Sequence, residues 1–209
     1  MATQNDTRER ILDAAREQFL AHGYQATGIS QIVAAAGARS GSLYHFFPTK
    51  EDLLLAVLER YRELLMPLVI QPVFDRVSDP IERIFGILDG YRRMLIATDC
   101  AIGCPIGNLA LEVSESIPNA RPLIAANFDG WTSVIEGCLN EAKDRLPEGV
   151  NSADLATFIL TVMEGGIMQA RAHRSLEPFE AGVAILRDYF ERLRTDGTTW
   201  STPAGTDTH

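Results

Sequence analysis

GYQATGISQIVAAAGARSGSLYHFFPTK, residues 23–50, decides the fold. It reads as two short helices joined by a tight turn. Ile29, Ile32 and Val33 give the first helix one apolar stripe at helical spacing. Thr27 or Gly28 is placed to cap its start, and Ser30 offers a second hydroxyl there. Gly37 follows Ala34, Ala35 and Ala36, where a glycine takes the left-handed conformation that ends a helix. A second helix then starts at Arg39 or Ser40. Leu43 and Phe46 share one of its faces, with Ser42, Tyr44 and His45 elsewhere around it. Pro48 stops it, and Lys50, Glu51 and Asp52 open the next helix. Two short helices joined through a glycine turn are the helix-turn-helix plan, whose second helix enters the major groove of DNA. Spacing alone also suits an αα-hairpin inside any helical bundle, so both readings stand at this point.

The residue identities are more specific than the spacing. Phe19, Gly23, Tyr24, Ala26, Thr27, Ile32, Ala36, Gly37, Leu43, Tyr44, Phe46, Phe47 and the run Lys50, Glu51, Asp52, Leu53 are the matching points. Through them the stretch from about residue 8 to 55 resembles the DNA-binding domain of the TetR family of bacterial transcriptional regulators. It departs from the family pattern at Gly28, where a Thr or Ser cap is common. It departs again at Ala38 and Arg39, where many members carry Val-Ser, so base contacts do not transfer from a relative. The resemblance implies that Tyr44 and Lys50 bind phosphates of double-stranded operator DNA. Thr27 is expected to add a hydroxyl contact to the backbone. Arg39, Ser40, Ser42 and His45 are the candidates for reading bases, and Arg39 has the geometry to take a guanine through two hydrogen bonds.

Composition bounds the rest. The 209 residues are 46% apolar, enough for a packed core. No apolar run approaches the ~20 residues of a membrane span, and the first ten residues lack a signal-peptide stretch. Three cysteines argue against a disulfide framework. A soluble, cytoplasmic protein with no membrane partner is expected. The net charge of −9 at first argues against DNA. Its distribution permits it: residues 1–50 carry five basic and four acidic groups, while the remainder carries 14 and 24.

Asp6 and Thr7 are placed to cap the first helix, with Glu9 closing a capping box from Asp6. Ile11, Leu12, Ala15 and Phe19 form its buried face, giving a three-helix head over residues 1–50. The helix from Lys50 runs through Leu53, Leu54, Val57, Leu58, Tyr61, Leu64 and Leu65, and Pro67 and Pro72 break or kink its far end. It is the natural lever between head and body, with Leu64 and Leu65 expected at the ligand cavity. Further helices follow from Pro80, across Ile106–Val113, from Pro118, from Asn151 or Ser152, and from Glu177. No period-2 strand and no repeat appears. The fold class is all-α: an N-terminal helix-turn-helix domain and a C-terminal helical-bundle domain, residues 51–195, for ligand binding and dimerisation. Residues 196–209, rich in Thr and Gly, are expected to be disordered.

The last helix carries two apolar sets: Phe179, Val183, Leu186, Phe190 and Leu193, and beside them Gly182, Ile185 and Tyr189. The preceding helix holds Gly165 and Gly166 in mid-course, which costs stability unless a backbone approaches there. Either both helices are plain core, or they form a four-helix bundle with a second copy. The resemblance implies the latter, a homodimer through Phe158, Gly165, Gly166, Gly182, Ile185, Leu186 and Tyr189.

A small-molecule inducer is the expected partner of the bundle, since cavities between helices commonly hold ligands. Tyr91, Met94, Cys104, Asn108, Glu112, Phe128, Trp131 and Met163 are the candidate ligand contacts, with Phe158 and Ile167 as further candidate walls. Asn108, Glu112, Asn127, Glu164 and Gln169 are polar groups within apolar segments, where burial demands a partner. Gly103–Glu112 resembles a segment of one subset of TetR-like regulators. Cys100 and Cys104 are either small buried hydrophobes or, if exposed with a low pKa, a thiol sensor. His22, His45, His173 and His209 are scattered and no Cys/His spacing fits zinc, so no metal and no cofactor is expected. No phosphate-binding glycine loop, nucleophile elbow or HExxH helix is present, and no enzyme is expected. Three classes remain: a ligand-responsive repressor released from a near-palindromic operator, an all-α ligand-binding dimer without DNA binding, and a bundle enzyme without a signature. Gly37, Tyr44 and Lys50 favour the first.

Overall fold

The computed structural model describes residues 4–195. In order these form α1 (Gln4–His22), α2 (Ile29–Ala35), α3 (Ser40–Phe46), α4 (Lys50–Leu64), a π-helical segment (Leu65–Ile70) and α5 (Gln71–Phe74). Then come α6 (Pro80–Ala97), α7 (Pro105–Val113), α8 (Ala120–Glu141), a 3-10 turn (Lys143–Arg145), α9 (Ser152–His173) and α10 (Glu177–Thr195). The described residues contain no strand, so the all-α class holds. The expected disorder of 196–209, and His209, lie outside the described residues.

The head packs as its periodicity dictates. Ile11, Leu12, Ala15 and Phe19 of α1 are buried against Ile32, Leu43 and Phe47. Gly37 has φ +56°, and the N–H groups of Gly37 and Ala38 donate to Ala34 O (3.1 Å) and Val33 O (3.0 Å). That pair is a Schellman closure of α2, available to glycine because it lacks a Cβ. Arg10 of α1 donates to Ala36 O (2.9 Å), fixing the turn from outside. α2 begins on Gly28, with the Gln31 side chain accepting from Gly28 N (2.6 Å). Asp6 does not cap α1, because that helix already runs from Gln4. Glu9 turns instead to Arg8 and to Arg60 on α4, joining α1 to α4.

Pro67 and Pro72 do not break the fourth helix. Hydrogen bonding shifts from α to π spacing at Leu65, as in the bond from Gln71 N to Met66 O, and the path continues to Phe74. The wider π turn absorbs Pro67, and Pro72 sits in the first turn of α5, where its missing N–H costs nothing.

The body is a stack in which α4 packs on α8, α8 on α9 and α9 on α10. Asn127, 4% exposed, donates from Nδ2 to Leu58 O (3.0 Å) on α4 and to Leu123 O (2.8 Å). Its polarity thus ties α8 to α4. α8 starts at Ala120, two residues past Pro118, and Asn119 donates to Glu51 Oε1 (2.8 Å) on α4. Gly166 lets α10 close on α9: a Cβ there would lie 3.2 Å from Phe179 Cα. In contrast, a Cβ on exposed Gly137 of α8 would meet nothing within 4 Å. Gly166→Ala is therefore expected to destabilise by about 1–3 kcal/mol through overpacking. Gly137→Ala is expected to stabilise by about 0.5–1 kcal/mol through helix propensity. Urea unfolding of both variants beside the parent chain measures the two signs.

Candidate functional site

α3 presents Arg39, Ser40, Tyr44 and His45 at the surface, with Tyr44 51% exposed and Ser42 half-buried. Leu43 holds the helix down from its inner face. The arginines of α1 are engaged, Arg10 with Asp6 and Arg16 with Asp13. Arg39, the residue before α3, has no ion pair or hydrogen bond from its side chain among the described residues. It is an exposed cation at the start of an exposed helix.

Two of the expected DNA contacts are turned inward. Thr27 is 1% exposed, and its hydroxyl donates to Gly23 O (2.6 Å) and Gln18 O (3.2 Å). It fastens α2 to the end of α1 and has no free face for a phosphate. Lys50 donates from Nζ to Tyr24 O (2.5 Å) and lies 4.2 Å from the centre of the Tyr24 ring. Partial burial lowers its pKa, against the pull of Glu112. In this conformation its ammonium is spent on the loop after α1.

That loop is gripped from the body. Glu112 of α7 accepts from Tyr24 N (2.9 Å) and Gln25 N (2.6 Å). Gly23 has φ +85°, and a Cβ there would lie 3.1 Å from Glu112 Oε2. The backbone turn therefore favours a glycine at that position, and a side chain there would also crowd the carboxylate. Glu112 is not a cavity wall as expected; it is a bridge between head and body.

A cavity of about 440 Å³ opens between α7, α8 and α9. Gly103, Cys104, Gly107 and Asn108 form its side at the start of α7, with Ala110 and Leu111 further along. Phe128 closes it from α8, and α9 contributes Leu160, Thr161, Glu164, Gly165, Ile167 and Met168. Of the expected contacts, Cys104, Asn108 and Phe128 are walls, as is Ile167. Tyr91, Met94, Trp131 and Met163 do not line it. Trp131 (5% exposed) and Met163 (1%) are packed core, and the Tyr91 and Trp131 rings stack at a tilt, 5.5 Å apart. Leu64 and Leu65 are not walls either, so α7 rather than α4 is the element shared by cavity and head.

Sequence reasoning marked Glu164 only as a polar residue in an apolar segment. It missed the small residues Gly103, Gly107 and Ala110, which leave the space that larger side chains would fill. Gln169 is exposed and outside the cavity.

Cys100 and Cys104 are 5% and 4% exposed. Burial, then the Glu164 carboxylate, pushes the Cys104 thiol far above its ordinary range. Cys138 is pushed up to about 11, mainly by burial. A thiol held protonated is a poor nucleophile, so Cys104 is a buried wall and not a reactive sensor. Among the described residues no group of three or more His, Cys, Asp and Glu is placed to hold a metal ion. None of the described helices is long and apolar enough to cross a membrane.

The expected dimer residues divide. Leu186 is 1% exposed, Gly166 is covered by Phe179, and a Cβ on Gly182 would meet Val162 at 3.2 Å. These three pack α9 and α10 of one chain against each other. Phe158 (49% exposed), Ile185 (70%) and Tyr189 (38%) point outward, with the Phe158 and Tyr189 rings 6.3 Å apart. Met168 of α9 is also exposed, at 56%, and a Cβ on Gly165 would meet nothing within 4 Å.

Comparison with known proteins agrees with this layout. The family described as bacterial regulatory proteins, tetR family, matches residues 11–57. The family described as transcriptional regulator LmrA/YxaF-like, C-terminal domain, matches residues 80–184. The uncharacterised HTH-type transcriptional regulator YxaF of Bacillus subtilis (strain 168) is 34% identical over 178 residues, covering 85% of this chain and 92% of its own. The HTH-type transcriptional regulator LmrA of the same organism is 30% identical over 191 residues, covering 90% and 98%. A TetR transcriptional regulator of known crystal structure from Chloroflexus aurantiacus J-10-fl superposes with a TM-score of 0.79 at 28% identity, covering 92% of this chain and 98% of its own. Other relatives carry the description of transcriptional repressor. These relatives are regulators of transcription and not enzymes. The chain belongs to the TetR family of bacterial transcriptional regulators.

Proposed function

We propose that the protein is a dimeric, cytoplasmic repressor that leaves a near-palindromic operator when a small molecule enters the cavity between α7, α8 and α9. Residues 1–50 bind DNA and residues 51–195 bind the ligand and the second copy. The observation that carries this reading is Glu112. Its helix walls the cavity through Gly107, Asn108 and Leu111, and at the next residue, Glu112, it holds the Tyr24–Gln25 backbone of the head. A ligand that displaces α7 must move or release that grip. Ligand and DNA then compete through one two-state element. The coupling is reciprocal: a 100-fold loss of operator affinity, about 2.7 kcal/mol, requires the same loss of ligand affinity on DNA.

On DNA, Arg39 and the exposed side of α3 face the bases, and Tyr44 takes a phosphate. Lys50 supports the head by holding Tyr24. The dimer forms through the outward residues Phe158, Met168, Ile185 and Tyr189, large apolar side chains left exposed on α9 and α10. Two such heads read half-sites roughly one helical turn, ~34–36 Å, apart.

An electrophoretic shift with the chain's own promoter region tests the DNA reading. Arg39→Ala is expected to cost about 1–3 kcal/mol on the operator and far less on a scrambled duplex. Equal losses on both would remove Arg39 from base reading. For the coupling, Glu112→Ala is expected to bring the operator affinities with and without a screened inducer to within a few-fold of each other. A variant that still responds in full would move the link elsewhere. For assembly, Ile185→Glu combined with Phe158→Glu is expected to sediment as a folded monomer. Leu186→Glu, placing a charge in the core, is expected instead to lose its thermal transition.

A further inference from the structure

Glu164 is a carboxylic side chain on the wall of a largely apolar cavity, among Leu160, Ile167, Met168 and Phe128. Its Oε1 is shut off from solvent and has no hydrogen-bond partner among the described residues. Its Oε2 lies where a Cβ on Gly107 would come within 2.5 Å, so glycine at that position gives the carboxyl its room. No cation stands opposite it. Arg171, two turns further along α9, donates to Asn108 Oδ1 (2.9 Å) on the other side of the cavity mouth. Thr161 gives its hydroxyl proton to Thr157 O (2.8 Å), which leaves its oxygen only as an acceptor. The cavity therefore offers negative charge and acceptors to whatever enters, inside an apolar shell.

We propose that the cavity selects an apolar molecule bearing a basic amine, with the ammonium received by the Glu164 carboxylate. This rests on the reading of the cavity as the ligand site. Apart from the Cys104 thiol, the carboxylate has no polar partner among the described residues, and an incoming ammonium supplies the missing counter-charge. Burial raises the Glu164 carboxyl, the Cys104 thiol pulls it down, and a cation beside it would pull it down further. An anionic ligand meets a like charge and an unfilled acceptor. A neutral alcohol supplies the hydrogen bond without the charge. A body the size of two fused aromatic rings fits about 440 Å³ with room for a short arm.

The test uses three probes with one body: 2-(aminomethyl)naphthalene, 2-naphthalenemethanol and 2-naphthoate. Each is titrated calorimetrically into the full chain at neutral pH without DNA. The amine is expected to bind about tenfold or more tighter than the alcohol, the size of one charge-assisted hydrogen bond, and the carboxylate weakest of the three. Glu164→Gln is expected to remove the amine's advantage and leave the alcohol within a few-fold. Gly107→Ala, which crowds the carboxyl without removing its charge, is expected to weaken the amine selectively and serves if Glu164→Gln does not fold. Alcohol or carboxylate binding as tightly as the amine, no binding by any probe, or an amine advantage that survives both substitutions would each overturn the proposal. Selective amine binding that leaves operator affinity unchanged would uphold the Glu164 assignment and count against the cavity as the inducer site.

Discussion

Two hydrogen bonds from the loop after α1 to the Glu112 carboxylate join the parts of this molecule that have to communicate. Charge-assisted bonds of this kind contribute about 1.5–3 kcal/mol each when well formed. They are surrounded by supporting constraints. Gly23 turns the chain with φ +85° so that the Tyr24 and Gln25 amides converge on one carboxylate. Lys50 holds the Tyr24 carbonyl and ring. The head is thus not hung on α4 alone. It has a second attachment, through α7, and that helix also bounds the cavity.

The helix-turn-helix head was legible because its signals are local. Gly37 after three alanines closes a Schellman turn, and the Ile32, Leu43 and Phe19 spacing puts each side chain on the shared core. What escaped depends on residues far apart in the chain. Glu112 announced itself as a polar group needing a partner, but its partners lie 88 and 87 residues earlier. Asn127 gave the same signal and found a backbone carbonyl on α4 rather than a ligand. Pro67 reads as a helix breaker in any local rule, yet packing of the body carries the helix past it by a change of hydrogen-bond spacing.

The cavity illustrates a different limit. Large aromatic side chains look like the walls of a binding site, but Trp131 and Tyr91 fill space by packing on each other. The opening exists where side chains are small, beside Gly103, Gly107 and Gly165. Helical periodicity marks two faces on α10 without saying which is inside. Leu186 and Ile185 are neighbours in sequence, and one is 1% exposed and the other 70%.

The outer face of α9 has two occupations. Thr161, Gly165 and Met168 border the cavity, and Met168 is also one of the exposed apolar side chains of the helix. On the reading that this surface meets a second copy, a substitution at Met168 alters what the protein admits and what it pairs with at the same time. Drift in ligand preference then carries self-recognition along with it. A duplicated gene that acquires a new ligand by this route would also tend to stop forming mixed assemblies with its parent, so the two circuits would become insulated from each other by the same mutation that separated their inputs.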